Sequence, residues 1–414
     1  MKKNYILLFT LLVALSAKAQ MPTTNKSFQK FAGIQDSLCT IAYKNKDDKK
    51  FEKLLSEYLL KYNKLSEADK KTFSGTTNGI YYDLSCLYSL QNNKIQALGN
   101  LEKSIKFGFD DLEHITEDTD LDNIRNEMKF KTIIQPLRDT KDYLYILKKA
   151  EKYNLNEKRE LPAFTYQSAS NSSLVSLRKS FNLDSIAGGG NEISKILNLM
   201  HWIHNLIPHD GSNGNPEVMN AMNMIAVCKK EKRGLNCRGM ATVLNECYLS
   251  MGFRSRFVTC LPKDSLGVDQ DCHVINMVYS DQLKKWLWID PTFDAYVMNE
   301  KGELLSIEEV RERIINDKPL ILNPEANWNH KTSQTKEYYL YNYMAKNLYI
   351  LECPMSSEYD TETKHDGKVT IYMRLIPLDY FNKSLDKNES MNNVTKRQME
   401  TYKTNNPNVF WQVP

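Results

Sequence analysis

The chain of 414 residues is short of several things, and each shortage excludes something. Past residue 15 no stretch approaches the roughly 20 apolar residues that a transmembrane helix needs, so no membrane span is expected. Acids and bases are interspersed and leave a formal charge of only +4. No basic block of the kind that grips a phosphate backbone is present, and nucleic acid is not an expected partner. Eight cysteines are spread over more than 300 residues, unlike the dense framework of a small disulfide-stapled domain. "AGGGNE" at 187–192 lacks the lysine and spacing of a phosphate loop and reads as a flexible start to a helix. Asp118, Asp120 and Asp122 imitate the opening of a calcium loop, but Asn123 stands where glycine is needed and Lys129 where glutamate is. No metal and no cofactor are expected.

The N-terminus does carry a signal. Lys2-Lys3, the apolar run from Tyr5 to Leu15 and the small residues around Ala17 and Ala19 follow the order of a secretory leader cleaved near Ala19. An exported protein, periplasmic or secreted, is expected. About 395 residues then remain, enough for two or three domains at about 100 to 200 residues each.

From Phe28 to about Leu147 apolar residues recur three and four apart, as in "FEKLLSEYLLKY" and "KIQALGNLEKSI", which predicts helices. Residues 148–173 turn charged and then rich in Ser, Asn and Thr, as a linker would. A further helix is predicted from Glu192 to about Leu206. Beyond residue 250 the pattern shifts to short strands: "FRSRFVTC", "CHVINMVYS", "KWLWID", "YYLYNYM" and "KVTIYMRLI". Helices followed by antiparallel strands predict an α+β domain.

"RGLNCRGMATVLNECYLS" sets Cys237 at the first turn of a helix whose apolar face is Met240, Ala241, Leu244, Tyr248 and Met251, with Gly252 as its stop. The helix dipole and the unbonded first-turn N–H groups favour a thiolate there, and the same N–H groups could hold an oxyanion. Cys237 can still be a buried thiol or half of a disulfide. A bridge between Cys260 and Cys272, which flank a turn-rich loop, is one expected pairing. A nucleophile needs a base, and a base needs an orienting group. "DCHVINMVYS" and "KKWLWIDP" are joined by "SDQL", a common hairpin length, so Tyr279 is predicted opposite Lys284 and His273 opposite Asp290. Such partners share a sheet face, with Cβ atoms about 4.5 to 5.5 Å apart, whereas a slip of one residue would part them. Singly, each residue has a plainer reading: a bridged thiol, a packed histidine, an Asp-Pro turn. Together they point to a thiolate–imidazole site.

"GLNCRGMATVLNECYLSMGFRSRFV", "CHVINMVY" and "WLWIDPTF" resemble, in order, the three motifs of the transglutaminase-like superfamily of cysteine enzymes. The resemblance covers roughly 173–294 and implies a papain-like α+β core in which Cys237 is the nucleophile, His273 the general base and Asp290 its orienting residue. It also implies that the segment before the cysteine helix runs beside the site, so that His209, Asp210 and Asn236 line the cleft. His201 and His204, with His209 and Asp210 following, could alternatively be read as zinc ligands, but their spacing matches no recognised site and a thiolate–imidazole enzyme needs no metal. Tyr81, Leu84, Ser85, Tyr88, Ala97, Leu101 and Ser104 likewise resemble one tetratricopeptide repeat, which implies a peptide-binding module or simply a helical bundle.

The expected organisation is a signal peptide (1–19), a helical repeat-like domain (20–150), a linker (151–172), a transglutaminase-like core (173–330) and a β-rich extension (331–414). The expected function is an exported cysteine hydrolase of protease or amidase type acting through a Cys-His-Asp triad and a thioester. Its substrate would be a peptide, a protein or a cell-wall peptide, and the helical domain would serve a protein partner. The alternatives are an amine-acceptor transglutaminase and a non-catalytic peptide-binding scaffold.

Overall fold

The computed structural model describes residues 25–263, 272–379, 388–392 and 396–414. The expected signal peptide lies outside them. Among the described residues no helix is long and apolar enough to cross a membrane. Contacts divide the chain between Lys141 and Asp142.

The first unit is helical. Its main helices are α1 (Lys26–Lys44), α2 (Asp48–Tyr62), α3 (Ser74–Leu90) and α4 (Lys94–Lys106). Asn25, Asp47 and Asn93 each cap a start by accepting a first-turn N–H. Ser85, Ala97 and Ser104 are fully buried. Their small side chains let α3 and α4 close on each other, and the two hydroxyls bond carbonyls across the gap: Ser85 to Ala97 and Ser104 to Asn78, each at 2.8 Å. Phe28 and Phe73 meet edge to face at 4.8 Å in the core. Asp118 serves structure, accepting the Asp120 N–H and the Tyr82 hydroxyl.

The second unit is built on a seven-stranded sheet. Its strands are β1 (Ser255–Leu261), β2 (His273–Ser280), β3 (Lys285–Ile289), β4 (Ile350–Pro354), β5 (Val369–Leu375), β6 (Asn388–Met391) and β7 (Gln398–Thr404). They lie in the order β6-β7-β5-β4-β1-β2-β3. All pairings are antiparallel except β5 with β7. Residues 350–404 therefore supply more than half of the sheet. Within 151–172, Thr165–Tyr166 pairs with Ser356–Ser357, and the buried Phe164 ring covers the Arg256 guanidinium at 3.8 Å.

One sheet face carries α5 (Glu192–Leu206), α6 (Ala221–Glu231) and α7 (Cys237–Ser250). Because α7 is the central helix, it is buried nearly all round, Thr242, Asn245 and Glu246 included. Glu246 accepts the Ala221 and Asp360 N–H groups. Burial outweighs those bonds and pushes its carboxyl up to about 8. The other face packs against a core containing Tyr339, Leu340 and Phe410.

"YYLYNYM" is not a strand. It forms a π-helix, Glu337–Met344, in which Tyr339, Leu340 and Met344 turn inward. Its tyrosines suit a strand in isolation, but the burial spacing follows a helical turn and tertiary packing overrides propensity.

Candidate active site

The β2–β3 hairpin differs from the expected register by two residues: Ser280 pairs with Lys285 and Tyr279 with Trp286. The turn sets this. Lys284 takes a left-handed conformation at φ 55°. Glu192, at the start of α5, accepts the Asp281 and Gln282 N–H groups, each at 2.9 Å, and the Ser280 hydroxyl. A shift of two leaves every side chain on its face, because the strand period is two. His273 and Asp290 consequently share a face as diagonal neighbours, and His273 Nε2 meets Asp290 Oδ2 at 2.7 Å.

Both are sealed from water, His273 at 1 % exposure and Asp290 at 0 %. The carboxylate is fully engaged. Oδ2 also accepts the Tyr339 hydroxyl at 2.6 Å. Oδ1 takes the Thr292 N–H at 2.9 Å and the Phe293 N–H at 3.4 Å. Trp288 Nε1 donates to the same Tyr339 oxygen at 3.2 Å, anchoring that phenol in turn. Phe293 and Tyr343 both meet the His273 ring edge to face, at 5.5 and 5.2 Å. The imidazole is thereby fixed in plane and tilt, with Nε2 on the carboxylate and Nδ1 facing outward, 3.3 Å from the Tyr343 hydroxyl.

Cys237 reaches this imidazole from the helix side. Asn236 caps α7 by accepting the Gly239 N–H at 3.1 Å, and its amide is braced against Asn215 at 2.8 Å. Cys237 is the first residue of the helix, partly exposed, with its sulfur 3.9 Å from the Cys272 carbonyl at the foot of β2. Burial pushes the thiol up, but hydrogen bonds and charge from His209 and His273 outweigh it and draw the group down to about 6. Burial alone would lower His273, yet the Asp290 carboxylate and the Cys237 sulfur raise it to about 10. Both shifts favour a thiolate beside an imidazolium.

His209 arrives through backbone pairing. Residues 209 and 235 form a parallel bridge, with Asp210 N–H on the Leu235 carbonyl at 2.7 Å and Leu235 N–H on that of Pro208 at 3.2 Å. Asn329 clasps the His209 backbone, its side chain accepting the N–H at 2.6 Å and donating to the carbonyl at 2.9 Å. Only a glycine fits at 234, since a Cβ would stand 2.1 Å from the Pro208 oxygen. Asp210 is turned away into its own loop, accepting N–H groups of Ser212 and Asn213.

The remaining expectations find other partners. His201 bonds Asp294 at 2.5 Å, and His204 lies between the Pro291 carbonyl and the Asn327 side chain at 3.1 and 3.0 Å. They tie α5 to the loop that follows Asp290. Among the described residues no group of three His, Cys, Asp or Glu side chains could hold a metal ion. The expected Cys260–Cys272 bridge is not formed. Cys260 pairs with His273 across β1 and β2, so Cys272, one residue away, alternates to the opposite face.

A cleft of about 480 Å³ opens beside the pair, with His209, Phe293, Trp328 and Tyr343 in its wall. Tyr339 and Tyr343 escape a reading of the sequence, because they come from the π-helix. Their spacing of four, which sets both beside the His273–Asp290 pair, is the one signal that could have disclosed them.

A helix-borne thiol thus stands beside an imidazole–carboxylate pair on a mostly antiparallel sheet, in an α+β fold. Residues 179–291, which contain Cys237, His273 and Asp290, match the model of the transglutaminase-like superfamily, and the chain thus carries a domain of that superfamily. No curated protein matches the chain. Among solved structures, one described as a "putative cysteine protease" from Cytophaga hutchinsonii is 20% identical over 31% of this chain and 40% of its own, less than half its length, with a TM-score of 0.22. A likeness that slight carries no argument.

Proposed function

We propose that the protein is a cysteine hydrolase that cleaves peptide or amide bonds through Cys237, His273 and Asp290. The observation that carries this is the sealed 2.7 Å His273–Asp290 contact beside a partly exposed thiol drawn down to about 6.

In the proposed reaction the Cys237 sulfur attacks the carbonyl carbon and the C=O π pair moves to oxygen. The Cys237 and Arg238 N–H groups, the part of the first turn that the Asn236 cap does not take up, serve the developing oxyanion. His273 gives its Nδ1 proton to the amine nitrogen as the C–N bond breaks, leaving a thioester and a free amine. Water then attacks the thioester while His273 takes its proton. The acid departs and the thiolate–imidazolium pair is restored. Asp290 keeps Nε2–H bonded throughout and holds the ring in the tautomer that leaves Nδ1 free to exchange its proton. His209 supplies a second imidazole that favours the thiolate. The charged, apolar and small residues of 2–19 support export as the setting.

The test compares the protein with Cys237→Ala on a library of internally quenched peptides and on peptidoglycan fragments. Hydrolysis lost by at least about 10⁴-fold in the variant is the expected result. Equal rates in the two proteins, or transfer to added amines in place of hydrolysis, would refute the proposed reaction.

A further inference from the structure

We propose that the cleft beside the thiol is the specificity pocket for a large, uncharged apolar or aromatic side chain on the acyl side of the scissile bond. This rests on the hydrolase reading above and names the class of peptide that it takes.

The wall decides the chemistry. Phe293, Trp328, Tyr338 and Tyr343 line the cleft, and among the described residues no Asp, Glu, Lys or Arg does. Its polar points are the imidazole of His209, hydroxyls of Thr and Ser, and the amide of Gln334, whose buried oxygen finds no partner among the described residues. A peptide N–H is the donor such an oxygen lacks. A carboxylate or ammonium entering this space would lose its water without meeting an opposite charge, which is costly. An aromatic ring would exchange water for four rings. The volume, about 480 Å³, falls within the range of pockets that enclose a small ligand and so admits one large side chain with its flanking backbone.

Position links the pocket to the reacting atoms. The Tyr343 hydroxyl is 3.3 Å from His273 Nδ1, and Phe293 is pinned through its N–H to the same carboxylate that holds His273. His209 acts on the Cys237 thiol and stands 6.3 Å, ring to ring, from Trp328. A side chain seated among these rings has its carbonyl within reach of the sulfur. Trp328 and Tyr338 are the outer members, 36 % and 54 % exposed, held on the short hairpin Asn327–Ser333 and at the start of the π-helix. Exposed aromatics gathered at a cleft rim, left open by the described residues, are placed for a ligand.

The same wall disfavours acidic cell-wall stems at this position. Their free carboxylates would need a permanent cation there, and the described wall holds no Lys or Arg.

The experiment measures inactivation of the full-length protein by peptidyl chloromethyl ketones carrying Phe, Leu, Glu or Lys at the two residues before the ketone. Attack forms an S–C bond and expels chloride, and mass spectrometry locates the adduct. Iodoacetamide, which has no side chain to seat, reports the thiol itself. The Phe and Leu reagents are expected to label Cys237 about tenfold to a hundredfold faster than the Glu and Lys reagents. The ratio is expected to shrink in Trp328→Ala and in Tyr338→Ala, both exposed enough for the fold to survive. Fast iodoacetamide labelling with equal rates for all four ketones overturns the pocket alone. Labelling of Cys237 by iodoacetamide no faster than that of a free thiol at the same pH overturns the hydrolase reading and the pocket with it.

Discussion

Cys86 and Cys237 are both helical cysteines, one in each unit, and their surroundings drive them in opposite directions. Cys86 sits inside α3 at 2 % exposure with its sulfur 3.6 Å from Asp118 Oδ2. Burial raises its thiol far above the ordinary value, and Asp118, Asp83 and Asp120 raise it further. Cys237 is also desolvated, but it meets imidazoles in place of carboxylates and falls to about 6. Cys247, ten residues along the same helix as Cys237, is pushed up like Cys86. Being in a helix is therefore not what draws a thiol down here; the sign of the neighbouring charge is.

The sharpest way to break that contrast is to remove the cation. His273→Ala is expected to lower kcat/KM by about 10²- to 10⁴-fold and to bring alkylation of Cys237 at pH 7 down toward that of an ordinary thiol, with Cys86 unlabelled in both proteins. Rapid alkylation of Cys237 in that variant would mean the helix start suffices.

The second sharpens it with pH. The reactive form needs a deprotonated sulfur, present above about 6, and a protonated imidazole, present below about 10. Activity is expected to rise through the first value, hold a plateau and fall through the second. Because His209 lowers the thiol, His209→Ala is expected to move the acid limb upward and leave the alkaline limb in place. An acid limb that stays put shows that His273 sets the thiol alone.

The smallest effect tests how His209 is delivered. In Gly234→Ala the new Cβ meets the Pro208 oxygen, and the segment carrying His209 must move or the chain must strain. A loss of about 1 to 3 kcal/mol is expected, read as a lower Tm together with a partial shift of the acid limb in the direction of His209→Ala. A full shift of the acid limb without any change in Tm would show that the bridge does not bear on stability.

Much of the site's frame was legible from residue order. The start of α7 at Cys237 followed from the apolar spacing behind it, and α5 spans Glu192–Leu206 as its periodicity predicts. The hairpin was legible in its parity but not its register. Alternation survives a shift of two, whereas the turn's own geometry depends on Glu192, 88 residues away from Ser280. The Cys260–Cys272 pairing failed for a different reason: Cys260 pairs with His273, and parity forbids a bridge between one residue and the neighbour of its partner.

Local pattern alone thus determined where a thiol, an imidazole and a carboxylate would stand along their own helix and strands, because helical and strand periods act over a few residues. Tertiary structure decided what surrounds them. The Tyr339–Asp290 bond joins residues 49 apart, the bridge that carries His209 joins residues 26 apart, and the cleft wall brings Trp328 and Tyr343 to His209 from 119 and 134 residues away. No period connects such segments. They meet only because the sheet and its covering elements bury their apolar faces together, and the charge that makes Cys237 differ from Cys86 comes with them.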